Sequence, residues 1–241
     1  NILSFSEIDN VASMFKFWEG GFSFKGMRYL FRFGDGGRGM KTVTVNIADT
    51  SMLKTVSVSE ESGSFSLTGA DVSADYILSL GKASAVISGL STTSVLSVSS
   101  SAGASMKISD CRAKEFALSG GGGNFSLSGI SADRADFSLK SGEIVGENLT
   151  FTELSSSSES ASLDLRSLDV SKASVNSVSG QVALRLSSDL TDFAVELAAK
   201  NASVFLNDVH YSSSYSIPNE SAEKSITVNT DTASILLNAA K

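Results

Sequence analysis

One cysteine, one histidine and one proline in 241 residues remove whole classes of chemistry from consideration. A single thiol cannot close an intrachain disulfide or furnish a cysteine-based zinc site, and one histidine beside it cannot complete a typical transition-metal set. A serine–histidine–acid triad must use His210 or none. His210 follows Val209 and precedes the irregular stretch YSSSY, which places it on a surface corner as an exposed polar residue. A lone proline suits a chain of paired strands, because proline has no N–H to give to a ladder. Basic residues are outnumbered 19 to 26, and the net charge is -7 with no cluster of Lys and Arg, so nucleic acid is not an expected partner. No apolar run approaches the roughly 18 residues of a membrane span. The chain opens on Asn1 rather than Met, as expected of a segment whose leader or anchor lies upstream, and membrane contact is expected only through such an anchor.

What is abundant is serine, 49 residues, alternating with Val, Leu, Ile and Phe. That alternation predicts strands with one solvated face. The strands repeat. The segments GSFSL from Gly63, GKASAVI from Gly81, GASMKI from Gly103, GNFSL from Gly123, GEIV from Gly142, SASLDL from Ser160, GQVALRL from Gly180 and NASVFL from Asn201 recur every 18 to 22 residues. TASILL from Thr232 is a final copy. An apolar pair precedes each small residue: Leu78 and Leu80, Leu96 and Val98, Phe116 and Leu118, Phe137 and Leu139, Phe193 and Val195. A thinner column follows: Val72, Leu90, Cys111, Ile130, Leu149, Leu168, Leu190 and Val209.

Three columns keeping one step predict an all-β fold, a parallel β-solenoid of about 20 residues per turn. A single turn cannot bury its apolar face, whereas stacked turns bury a continuous spine. Phe65, Phe116, Phe125, Phe137 and Phe193 are expected to point inward, and the small residue at each corner suits a positive φ.

The ends of a solenoid are open sheet edges that recruit other chains unless covered. Residues 1–40 hold nine of the 19 aromatics and are expected to form an N-terminal helix/strand cap, with residues 41–241 as the solenoid domain. Ile8, Val11, Phe15 and Trp18 would share one helical face, with Ser4 and Glu7 spaced as a capping box, before the strand segments FSF and YLFRF. Near the other end, YSSSYSIPNESAEK interrupts the step and predicts an excursion or hairpin.

Gly34, Gly36 and Gly39 spell the G-x-G-x-x-G of dinucleotide sites. That motif needs a helix after it to hold the pyrophosphate. Here KTVTVNIADT follows, β-branched and alternating, so the loop joins two strands. The glycine run 120–123 reads as one enlarged corner. Cys111 falls in the thin column and is expected to be a buried, inert thiol. Asp133, Asp136, Glu143 and Glu147 lie in neighbouring turns, where paired acids could cleave sugars if they faced one another across a groove. With the aromatics pointing inward, they read instead as solvated charges. Calcium-binding glycine–aspartate repeats are absent, and the glycosylation-type triplets at Asn124, Asn148, Asn201 and Asn219 are a weak signal in so serine-rich a chain.

The unit of two alternating apolar positions, Ser/Thr-Gly, and two more resembles the bacterial adhesin-like family of domain of unknown function 4097, related to the head domain of autotransporter adhesins. FSLKSGEIV (137–145) and VNSVSGQVAL (175–184) carry the likeness best, and KSITVNTDTASILL (224–237) resembles the family's ending, with Asp231 and Thr232 in place of Ser-Gly. The resemblance covers about residues 41–238. It implies a right-handed parallel β-helix outside the cytoplasmic membrane and carries no catalytic residues or cofactor. The function expected is a non-enzymatic cell-surface or envelope-associated adhesin, presenting a Ser/Thr-rich face to a glycan, cell-wall polymer or protein. The alternatives are a polysaccharide-active enzyme on the same scaffold, or a solenoid that assembles through its ends.

Overall fold

The computed structural model describes residues 54–240 apart from 60–62 and 102, together with the backbone of six short strands within the first 53 residues. No helix occurs among the described residues; the chain is a coil of parallel strands. Its two broad faces alternate along the sequence. The front face is built from Ser64–Asp71, Ser84–Ser91, Ala104–Ser109, Gly123–Ser128 and, further on, Val182–Leu186. The back face is built from Thr55–Ser59, Asp75–Ser79, Val95–Ser100 and the later part of Arg112–Gly120. On these faces each strand pairs in parallel with the strand about one circuit away: Tyr76 with Leu96, Leu96 with Phe116, Phe116 with Ala135 on the back, and Ala85 with Met106, Phe125 with Ile144 on the front. Residues Ser131–Ser177 form one continuous run of extended chain. At about 3.3 Å per residue a straight strand of that length would outrun the molecule, so it is several sides of the coil joined by very tight corners.

The corners explain the tightness. Asp110, Gly129, Asn148 and Ser167, one circuit apart, all carry φ between 50° and 62°. This left-handed bend turns the chain within one residue, and Asn and Asp tolerate it best after Gly. At a second corner, Gly142 has φ 101° and a Cβ there would collide with the carbonyl oxygen of Gly123 one turn below. Inward residues form one continuous core, with Leu78, Leu80, Ile87, Val98, Ile108, Leu149, Leu165, Leu168, Leu184 and Val204 fully buried. Phe116, Phe137 and Phe151 stack edge to face at 5.9 and 6.1 Å, the geometry that aromatic quadrupoles favour. Two threonines that enter the core are bonded at corners: Thr92 Oγ1 donates to the Ala74 carbonyl at 2.7 Å and Thr230 Oγ1 to that of Ala233 at 2.6 Å.

Several expectations need correction. The pairs Leu96/Val98 and Phe116/Leu118 stack in step, but their neighbours are two residues out: Leu78 lies on Val98, Leu118 on Phe137, and Phe116 on Ala135. A shift of two keeps every side chain on its face, which is why the alternation could not detect it. Phe65 is only partly buried, on an early turn. Val209 is 54% exposed rather than in the thin column, because it lies in an antiparallel strand. In the N-terminal segment, Ser4 lies in strand Ile2–Phe5, paired in parallel with Thr55–Ser59, so it caps no helix. Trp18 lies in strand Lys16–Trp18 of an antiparallel three-stranded sheet with Gly21–Phe24 and Met27–Tyr29. Aromatic alternation there favours strands. Ile8, Val11 and Phe15 lie outside the described residues. Gly34–Gly36 and Met40–Thr42 pair antiparallel, so a strand and not a helix follows the motif, as expected, but Gly34 and Gly36 lie within the first strand rather than in a loop, and Gly39 lies outside the described residues.

The largest departure is in the order of turns. After Val182–Leu186 the chain forms Phe193–Ala199 and Val204–Leu206, then two antiparallel strands, Val209–Tyr211 and Ser214–Ile217, that cover the outer edge of that turn. It then doubles back. Lys224–Thr230 pairs with 172–177 on one side and Phe193–Ala199 on the other, and Ile235–Asn238 lies likewise between Val182–Leu186 and Val204–Leu206. The last turn in sequence is the penultimate turn in space. The predicted excursion is the cap: Tyr211, Tyr215 and Ile217 pack against the end of the core.

Candidate ligand-binding face

Register converts the serine alternation into rows that run along the coil axis. On the front, one row is Ser64, Ser84, Ser105, Asn124 and Glu143; the next is Ser66, Val86, Lys107, Ser126 and Val145; the third is Thr68, Ser88, Ser109, Ser128 and Glu147. Successive members sit one strand spacing apart, about 4.8 Å. The first two rows bound a shallow depression of about 260 Å³ across four turns, floored in part by Val86, which is 45% exposed. Its two charged members are Lys107 and Glu143, of opposite sign. On the back, Ser59, Ser79, Ser99, Ser119 and Ser138 form an unbroken serine row. Further along that face, Asn229 Nδ2 donates to Asn176 Oδ1 at 3.4 Å.

One ion cluster fastens the front face. Asp164 accepts from Arg166 two residues on, at 2.6 Å, and from Arg185 one turn later. Partial burial pushes the Asp164 carboxyl up, but hydrogen bonding to Arg166 and the charges of Arg185 and Arg166 outweigh that and hold it below the usual aspartate range. The cluster stands beside the register shift between Leu165 and Leu168. Sequence reading missed it; the signal was an acid and a base 21 residues apart on consecutive turns, with Arg185 two positions beyond Ala183, the register partner of Asp164.

The other candidates fall as follows. Asp136 is on the back face, accepting from Arg134 Nε at 2.9 Å, and Asp133 is exposed at the corner just before it. Glu143 and Glu147 are both exposed on the front, opposite Asn124 and Ser128. Four positions apart on one strand, they are separated by about 13 Å, beyond the roughly 5–9.5 Å of glycosidase acid pairs. The four acids are therefore split between faces. His210 is exposed; its Nε2 is 3.1 Å from Ser203 Oγ, its ring leans on Phe205 at 5.1 Å, and no carboxylate among the described residues hydrogen-bonds to it. Cys111 is buried, its Sγ donating to the Ser109 carbonyl at 3.2 Å. Burial, with the nearby Asp110 charge, raises its pKa and so disfavours the reactive thiolate. Among the described residues there is no cluster of three or more His, Cys, Asp or Glu placed to hold a metal, and no helix long and apolar enough to cross a membrane.

A family model described as Toastrack DUF4097 matches residues 22–237. No curated protein and no solved structure matches the chain.

Proposed function

The chain belongs to the Toastrack DUF4097 family, and from that premise we propose that it is a non-enzymatic, adhesin-like binding module of the bacterial envelope whose front face receives an extended glycan of the cell wall. The observation that carries this reading is the set of axial rows around the depression. In the first row Ser64, Ser84, Ser105 and Asn124 offer a hydroxyl or amide on four successive turns at one spacing, so a polymer with a repeating polar unit meets donors and acceptors at regular intervals. The net charge of -7 disfavours strongly anionic polymers, while Lys107 and Glu143 together suit a chain that carries little net charge.

Co-sedimentation of the purified protein with insoluble cell-wall glycan tests the proposal. Ser105→Glu with Ser126→Glu on the front should weaken binding by about tenfold or more, a loss of about 1.4 kcal/mol. Ser79→Glu with Ser119→Glu on the back should leave it within about twofold of the parent, a difference under roughly 0.5 kcal/mol. A protein that sediments with no wall polymer, or whose binding responds equally to both pairs, overturns the reading.

A further inference from the structure

Three consecutive layers at the C-terminal end place aliphatic inward side chains at matching positions. In space the order is Ala173, Val175, Val182 and Leu184, then Ile226, Val228, Ile235 and Leu237, then Val195, Leu197, Val204 and Leu206. The internal spacing of these four positions is the same in all three layers. The middle layer comes last in the sequence. Val195 follows Ala173 by 22 residues, and Val204 follows Val182 by the same number, close to the 21 between Ser84 and Ser105. The turn 193–206 could therefore sit directly on 172–186, on both faces at once and without a change of face. The middle layer is reached by a loop, residues 218–223, that contains Pro218 and passes the start of Phe193–Ala199, where Asn219 Nδ2 donates to the Thr191 carbonyl at 3.2 Å.

We propose that the C-terminal turn, residues 224–238, is a removable insert. The molecule has a second arrangement in which this turn leaves the stack and turn 193–206, with its antiparallel cover, drops one layer to close the gap. The ladder that 193–199 makes with Ser214–Ile217 is on the opposite side from the insert and survives the exchange. Its ladder with 224–230 is replaced by one with 172–177, in the register the insert now transmits between them. The inserted arrangement is the ground state, because Ile226, Val228, Ile235 and Leu237 are each fully buried in it. The second arrangement releases the C-terminal segment as a free strand and keeps the core closed.

Cysteine pairs in the full chain carrying Cys111→Ala distinguish the two. Ser174, Thr227 and Glu196 occupy matched positions on the back face of the three layers. In the inserted form positions 227 and 196 are one strand spacing apart and 174 and 196 are two, about 9.6 Å, too far for a disulfide. Thr227→Cys with Glu196→Cys should oxidise readily. Ser174→Cys with Glu196→Cys should oxidise slowly, and at least about tenfold faster when Val228→Asn weakens the insert. Hydrogen exchange on the Val228→Asn chain without added cysteines gives a second reading. Amides of 226–237 should lose protection while Val195, Leu197, Val204 and Leu206 keep theirs. A 174–196 pair that Val228→Asn does not accelerate, or loss of protection in 193–206 together with the insert, overturns the proposal.

Discussion

Between residues 64 and 186 each turn lies on the one before it, whereas between 193 and 240 sequence order and spatial order part. The same local rules produce both regions: inward residues at every second position, a corner that bends within a residue or two, and parallel pairing to a neighbouring turn. The difference is what each turn finds when it arrives. A turn in the body has one free edge to join. The last turn has been preceded by a layer already covered by antiparallel strands, so the free hydrogen-bonding edges open to it lie beneath that layer. A solenoid end is thus solved twice over, by a short antiparallel cover and by an interior place for the last two parallel strands, which are paired on both sides and offer no edge to other chains.

Substitutions in the two regions sharpen this contrast. Phe116→Ala removes a ring packed edge to face on Phe137 deep in the body, and should cost about 3–5 kcal/mol, read as a shift of the whole denaturant transition. Ile226→Ala should cost about 2–5 kcal/mol but lower the protection of the C-terminal layers ahead of the body, seen by hydrogen exchange. Equal loss of protection in both regions would remove the distinction. Gly142→Val puts a branched side chain at φ 101° against the Gly123 carbonyl and should cost about 1–3 kcal/mol by the same denaturant measurement.

The smallest effect concerns pH. The folded-state pKa of Asp164 is depressed, so its contribution is fully present above the aspartate's unfolded value and is lost as pH falls through the depressed folded value. Its partners are half exposed, so the contribution is about 1 kcal/mol or less. Asp164→Asn should lower stability near neutrality by that amount and leave the variant and parent equal at strongly acid pH, measured by thermal melts across the pH range. A difference that persists at acid pH would assign the loss to packing instead.

Much of the body was legible in the sequence because a period is written in it. The pair Leu96 and Val98 and the pair Phe116 and Leu118 sit in the core, and Leu90, Cys111, Ile130, Leu149 and Leu168 form the buried thin column. Where inward positions are small, as at Ala135, the eye slides two residues to the next large one, and alternation gives no penalty for doing so. The interposed turn was illegible for a related reason. Ile226, Val228, Ile235 and Leu237 are aliphatic at the same spacing as Val195, Leu197, Val204 and Leu206, so either turn satisfies the layer below it. Only the cover formed by 209–217 breaks the tie, and its antiparallel pairing is a tertiary fact. On the front face, Ser105, Asn124 and Lys107 were legible as outward residues, but their alignment into rows required the register.

The spatial order of the last three layers is tested most directly by methyl–methyl NOEs in the full chain. Val228 should show contacts to both Val175 and Leu197, with none between Val175 and Leu197, since these are two strand spacings, about 9.6 Å, apart. A direct Val175–Leu197 contact in the native state, with Val228 touching Leu197 alone or neither, would contradict the account.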